Sequence, residues 1–484
     1  MNVEKKSITA NALMNIIKTC ASIVFPLITY PYAARVLEVN DMGAIEFARS
    51  IINYVGLVAG LGISTYAIRE GAKLRNDRER LNRLANQLFS INVIMTVLAL
   101  GILLLLVYCF PYLRSYGSLL LIFSLIPVGT TLTSDWVNSI YEDFGYITIR
   151  NVIIQFIALI LILVLVKDKN DYLIYAGILT FSSAGTAIPN WMYIRKYCRL
   201  RFTVRCDLKK HLKPILLIFA INVATAIYVN VDSTMLNIMC GEYDNGIYGA
   251  AVRVYNIFKN LVSAIVIVTV PRLSALQGTG KSEDSKKLMS MVFNVMFTLV
   301  MPLCLLCGLL SDDIIAFIGG SKYALAATPL RILSVSLMFS SLASFMTTSV
   351  LLPNGKEKYI FRASVVSALT NFLLNFWLIP WLSYAGAAIT TLIAELLMFL
   401  IAGFAARKHF NILEAKQIIL KCVISSLGII AAWGAVNLTG ATGLIRIFAT
   451  GILGMLIYFL IDMKLWKLRV KDILDMVKKM KKDR

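Results

Sequence analysis

Histidine is almost missing from this chain. Two residues in 484, His211 and His409, have no neighbouring set of metal-ligating side chains, which argues against a metal centre and against histidine acid–base chemistry. Charge is scarce too. Only 15% of residues are charged against 58% hydrophobic, and the mean hydropathy is +0.75, so polar groups are too few to clothe a water-soluble fold of this length. The chain reads as an integral membrane protein. Met1–Thr9 is short and polar, and the apolar segment behind it runs long without a small-residue cleavage site, so a cleavable signal peptide is not expected.

Cysteine supplies no framework. Cys20, Cys240, Cys304, Cys307 and Cys422 lie in or beside apolar stretches, and Cys198 and Cys206 lie in a basic loop, so a set of disulfides is not expected. Cys304 and Cys307 have CxxC spacing, but within an apolar stretch without nearby histidine they read as packing. The run Gly278–Ser282 resembles the end of a phosphate-binding loop. Its first glycine would fall at Ala275, and an apolar helix precedes it rather than a strand, so it reads as a flexible basic loop.

What the chain has in quantity is apolar stretches long enough to cross a bilayer of about 30 Å. Fourteen are expected, over 10–34, 43–66, 86–108, 116–138, 150–166, 172–194, 214–239, 246–270, 289–311, 326–350, 361–380, 384–406, 417–436 and 442–462. With a cytoplasmic N-terminus, the cytoplasmic segments carry 36 of the 48 Lys and Arg residues and the external loops only 5. That asymmetry fits the rule that cations stay inside and places both termini in the cytoplasm. Most of the basic excess is therefore a topology signal with attraction to anionic membrane lipid, and dispersal of the cations over many short loops argues against nucleic acid.

The pattern Asp-x-Gly-x4-Ala occurs at Asp41–Ala48 and again at Asp244–Ala251, each followed by an arginine, Arg49 or Arg253. Both copies open a helix on the external side, six crossings apart, which predicts two parallel repeats. The arginines would sit about 9 and 10 Å into their helices at 1.5 Å per residue. Ionisable residues at such depth usually face a bundle interior or a hydrated cavity. Seven cations are placed there, Lys18, Arg49, Arg253, Lys259, Arg331, Lys421 and Arg446, against four clear acids, Glu46, Asp135, Asp232 and Glu395. Polar stripes accompany them: Asn11, Asn15, Lys18 and Ser22; Glu46, Arg49 and Asn53; Arg253, Asn256 and Asn260; Asn222, Thr225 and Asp232; Ser364, Ser367, Asn371 and Asn375. The stripes without charge divide evenly between interhelical hydrogen bonding and cavity lining. Those holding Lys18, Arg49 and Arg253 predict a cationic cavity for an anionic ligand, phosphate or pyrophosphate, whose oxygens arginine can bind in pairs. Lys259 and Arg331 are added to that cationic set, while Asn15, Glu46, Asn53, Asp232, Asn256, Asn260 and Glu395 are cavity polar or ion-coupling candidates.

Several segments resemble the Wzx-type lipid-linked oligosaccharide flippases of the multidrug/oligosaccharidyl-lipid/polysaccharide exporter superfamily. They are Pro31–Leu37 with Gly43, Asp135-Trp136 through Glu142 and Arg150, Asn230–Asp232 through Gly246–Tyr248, Pro271–Ser274, Leu352–Lys356 and Gly386–Ala388. The resemblance spans roughly residues 8–410. It implies an all-α fold of two six-helix lobes in a V-shaped, alternating-access bundle, here with two further C-terminal helices. The division is 1–213 for helices 1–6, 214–411 for helices 7–12, 412–462 for helices 13–14 and 463–484 for a basic tail. It also implies movement of an undecaprenyl-pyrophosphate-linked glycan from the inner to the outer leaflet of the bacterial cytoplasmic membrane, for capsule, O-antigen or other exopolysaccharide assembly. Polymerase and glycosyltransferases are the implied partners. Lys18, Arg49 and Arg253 match helices on which the related peptidoglycan-precursor flippase carries cavity arginines, with lysine replacing arginine at the first. No catalytic residue, metal or cofactor is expected, and coupling to sodium or protons stays open.

Two rival classes share part of this pattern. A multidrug exporter of the same superfamily favours an acidic cavity for organic cations, whereas embedded cations here outnumber acids. A membrane enzyme acting on the same lipids needs a substantial external loop, and every external loop here is short.

Overall fold

The structure, a computed structural model, describes residues 8–204, 208–278, 282–407, 409–410 and 412–466. The side chains of several helical residues, Asn11, Asn15 and Thr225 among them, lie outside the described set, as do Cys206 and most of the Gly278–Ser282 loop. All regular structure among the described residues is helical. Ten helical segments there are long and apolar enough to cross a membrane. The chain divides into two compact units, Met1–Gly249 and Ala250–Arg484.

The first unit begins with α1 (Ile8–Val36), α2 (Val39–Gly60), α3 (Ile63–Lys73) and α4 (Arg78–Cys109). The expected span 43–66 is two helices rather than one. Leu61 and Gly62 between them take left-handed backbone, φ 46° and 75°, which no helix can propagate. A Cβ on Gly62 would also press on Ile218 Cγ2 at 2.7 Å. Asp77 caps α4 by accepting the Arg80 N–H. Short helices follow, α5 (Pro111–Ser115), α6 (Gly117–Phe123), α7 (Leu125–Thr133) and α8 (Trp136–Ile140), broken where Ser134 takes φ 47°. Next come α9 (Phe144–Leu165), α10 (Tyr172–Ala184), α11 (Ala187–Tyr193) and α12 (Leu208–Cys240). The fifth expected span is longer than its apolar run indicated, 22 residues from Phe144, so Arg150 lies inside it and is 5% exposed. His211 is in the first turn of α12 and buried, with Tyr66 Oη 3.0 Å and Gln87 Oε1 2.9 Å away.

One apolar core joins α3, α4 and α8 to the segment after α11, through Tyr66, Leu88, Trp136, Ile140, Ile194 and Cys198. Burial pushes the Cys198 thiol up to about 12, so at pH 8 it remains protonated and a poor nucleophile. Iodoacetamide applied to the native protein at pH 8 should therefore leave Cys198 unmodified, and denaturation should expose it; peptide mass mapping reads the difference.

The repeated Asp-x-Gly motif acquires a steric meaning here. The first turns of α2 and of α13 (Glu242–Gly278) cross so closely that a Cβ on Gly43 would run into the carbonyl oxygen of Glu242 and meet Gly246 N at 2.8 Å. A Cβ on Gly246 would strike the Val39 carbonyl in return. Asn245 locks the crossing, donating to the Gly43 carbonyl at 2.8 Å and receiving Ser233 Oγ at 2.7 Å.

In the second unit α14 (Ser282–Leu309), α15 (Ser311–Gly319) and α16 (Ala327–Ser344) lead into a π-helical turn, Phe345–Leu351, and then α17 (Glu357–Ala406). α17 is a hairpin rather than one rod. Ser383 has non-helical backbone, φ 47° and ψ −126°, just after Pro380, and Thr390 donates to Asn375 Oδ1 at 2.6 Å. Fifteen residues of straight helix would hold those two side chains about 22 Å apart. The two halves correspond to the expected spans 361–380 and 384–406. Gly386 makes the turn possible, since a Cβ there would meet the Leu378 carbonyl. α18 (Ile412–Leu438) and α19 (Gly443–Trp466) pack together around the buried pair Lys421–Asp462 at 3.0 Å. Asp313 near the start of α15 holds α19 by accepting the Gly443 N–H and the Arg446 guanidinium.

Candidate functional site

In the first unit the polar face of α2 meets α12. Ser50 and Thr234 hydroxyls are 2.9 Å apart, Asn53 donates to Asn230 Oδ1 at 2.8 Å, and Tyr54 Oη is 3.4 Å from Thr234. Positions 230 and 234 are one turn apart on α12, as 50 and 53 or 54 are on α2, so matched helical periods let the helices zip by side-chain hydrogen bonds. Asn53 thus serves interhelical contact while remaining exposed on its other side. Asp232 is 6% exposed and accepts the Tyr248 hydroxyl at 3.0 Å. Glu46 and Arg49 are half-buried on the same face of α2, and Glu46 packs on Gly249. Lys18 is half-buried on α1; Asn15 lies outside the described side chains.

The second unit separates cations that the sequence grouped together. At 100° per residue, Arg253, Asn256 and Asn260 stay within about 60° of one another on α13, while Lys259 lies about 120° from Arg253. Arg253 is half-buried, and Asn256 and Asn260 are exposed. Lys259 turns to α17, where its Nζ is 2.7 Å from Glu395 Oε1 and 3.3 Å from Tyr255 Oη, which itself donates to Glu395 at 3.1 Å. Lys259, Glu395 and Tyr255 form one closed triad. Arg331 is exposed four residues into α16 and pairs with Asp312.

Because Glu395 is 4% exposed, replacing its partner should be costly. Lys259→Met is expected to destabilise the purified protein by about 1–2 kcal/mol, below the usual range for a broken buried pair because the lysine side chain is 32% exposed. Adding Glu395→Gln should recover most of that loss. A thermal-unfolding double-mutant cycle measures the coupling, and additive losses would remove the pair from the account.

Another ion pair that escaped the sequence reading joins a buried arginine to a half-exposed acid. Arg150 Nη2 donates to both oxygens of Asp135, at 2.9 and 3.0 Å. The fifteen-residue spacing across a turn has no helical period to announce it, and Arg150 stood at a span edge. Asp143, 2% exposed, is also engaged beyond expectation, accepting from Tyr193 at 2.6 Å, Tyr197 at 2.7 Å and Lys196 at 3.3 Å. Burial and the Asp143 carboxylate hold the Tyr197 phenol above its usual range.

Chemically, these groups are paired charges and hydrogen-bonded hydroxyls and amides, and among the described residues they present no nucleophile activated by an adjacent oriented base. Among the described residues no three His, Cys, Asp or Glu side chains come together as a metal site.

Comparisons with known proteins bear on the family and the fold. The pattern of the family described as polysaccharide biosynthesis protein matches residues 8–277. A putative O-antigen transporter of Shigella dysenteriae is 24% identical over 401 residues, covering 81% of this chain and 98% of the relative. Among solved structures, the lipid II flippase MurJ in an inward closed conformation superposes with a TM-score of 0.74 at 17% identity, covering 95% of this chain and 99% of that one. An inward-facing multidrug resistance MATE family transporter of the MOP superfamily gives 0.60 at 13% identity, over 84% and 97% of the two chains. At such identities the structural likeness speaks for the fold.

Proposed function

The chain belongs to the polysaccharide biosynthesis protein family, and from that premise we propose that it is a flippase for a lipid-linked oligosaccharide destined for surface polysaccharide. The observation that carries this reading is the alignment with a relative named a putative O-antigen transporter over 98% of that relative's length. The finer picture extends the proposal. Fourteen crossings, in two parallel six-helix repeats with two C-terminal helices, lie in a bacterial cytoplasmic membrane with both termini inside. The cargo is an undecaprenyl-(pyro)phosphate-linked repeat unit moved from the inner to the outer leaflet by alternating access. Lys18, Arg49 and Arg253 meet its phosphate oxygens, the charge a polar lining must compensate if the head group is to leave water. Glu46, Asp232 and Glu395 are the acids offered for sodium or proton coupling, and glycosyltransferases and a polymerase act before and after.

Reconstitution decides it. Proteoliposomes containing the purified chain should expose fluorescent undecaprenyl-pyrophosphate-linked glycan to an external glycosidase faster than protein-free vesicles do. Equal rates would refute the flippase, and export of organic cations in its place would favour a drug transporter.

A further inference from the structure

The segment after α11 builds a basic cavity that the transport reading leaves unused. Asn82, Asn86 and Ser90 recur every four residues on α4, about 6 Å apart along the axis, and extended chain covers about 6.6 Å in two residues. The two registers match. Backbone N–H groups of Arg199, Arg201 and Thr203 donate in turn to Asn82 Oδ1 at 3.3 Å, Asn86 Oδ1 at 2.8 Å and Ser90 Oγ at 2.7 Å. With its amides held along α4, the segment carries the alternate side chains of Arg199 and Arg201 on one face. They line a cavity of about 360 Å³ together with Arg195 and an apolar wall of Trp191, Ile194 and Cys198. Ile194 and Cys198 are buried in the core, and Trp191 is braced by Phe89 at 5.4 Å between ring centroids, so the wall is fixed. No acid is among the lining residues.

The surroundings say which anion. Beside the arginines, Ile188, Met192, Phe202 and Val204 are 75%, 67%, 55% and 87% exposed. Large apolar side chains left outside, next to arginines at the end of an apolar stretch, are suited to the boundary between acyl chains and head groups. A soluble anion needs no such flanks. We propose that this cavity is a binding site for the phosphodiester head group of an anionic phospholipid, in the leaflet expected to be cytoplasmic. The phosphate sits among Arg195, Arg199 and Arg201, and the acyl chains run along the exposed apolar residues. This site goes beyond the transport reading and stands without it.

The test uses the purified full chain in neutral detergent, titrated with dioctanoyl phosphatidylglycerol, dioctanoyl phosphatidylcholine or inorganic phosphate, with thermal shift and native mass spectrometry as readouts. Phosphatidylglycerol should bind saturably and raise the unfolding temperature, and phosphatidylcholine should not. Arg195→Gln, Arg199→Gln and Arg201→Gln should each weaken phosphatidylglycerol binding about fivefold, and together about a hundredfold. Arg80→Gln with Arg83→Gln, two cations on the same expected side that do not line the cavity, should leave it unchanged. If the triple variant fails to fold, the single variants carry the test. Equal binding of phosphatidylcholine, unchanged affinity in the arginine variants, or phosphate competing at the same concentrations as the lipid would each overturn the proposal.

Discussion

Cells whose only copy of this protein carries Arg49→Ala or Arg253→Ala are expected to lose surface glycan while keeping normal amounts of the protein in the membrane. Arg49 stands one residue and Arg253 two residues after a copy of the repeated motif, in the third turn of α2 and the fourth of α13, and both are half-buried. A hydrogen bond to a charged group contributes about 1.5–3 kcal/mol, so each truncation should slow translocation roughly 10- to 100-fold. Arg→Lys should recover part of the rate, since charge survives while paired donation to two oxygens is lost. Quantifying exported polysaccharide beside membrane abundance separates a binding defect from a folding defect. Full glycan export in either alanine variant would remove that arginine from the proposed site.

The second large effect is structural. Gly43→Ala and Gly246→Ala are each expected to cut the amount of folded protein severely, although both only add a methyl group. The obstacle in each case is backbone, the Glu242 carbonyl for Gly43 and the Val39 carbonyl for Gly246, so no side chain can swing aside. Overpacking usually costs about 1–3 kcal/mol, and a clash with helix backbone belongs at or above the top of that range. Gly56→Ala on the same helix is the control, because a Cβ there meets nothing within 4 Å. Fluorescence-detected size exclusion of the three variants gives the comparison; equal monodisperse yield from all three would contradict the close crossing.

These two predictions show how unevenly the site was legible. Arg49 and Arg253 were visible because an eight-residue pattern recurs and because charge is rare in apolar helices. The role of the glycines in that same pattern was not, since a repeat announces similarity without saying what touches what. Lys259 was grouped with Arg253 by depth, and only the packing of α13 on α17 revealed that it faces Glu395, 136 residues away in sequence. Asn53 was recognised as part of a polar stripe, and its partner Asn230 came from a helix 177 residues further on.

Membrane embedding, the positions of the apolar stretches and the basic loops were determined by the sequence alone. Hydropathy and charge act locally and add along the chain, so a window of about twenty residues contains the answer. The helix break at Leu61, the choice of partner for each buried charge and the ladder of loop amides on Asn82, Asn86 and Ser90 were decided by tertiary structure. Each depends on bringing two distant registers into coincidence, and the energy of such a contact exists only once both helices are in place.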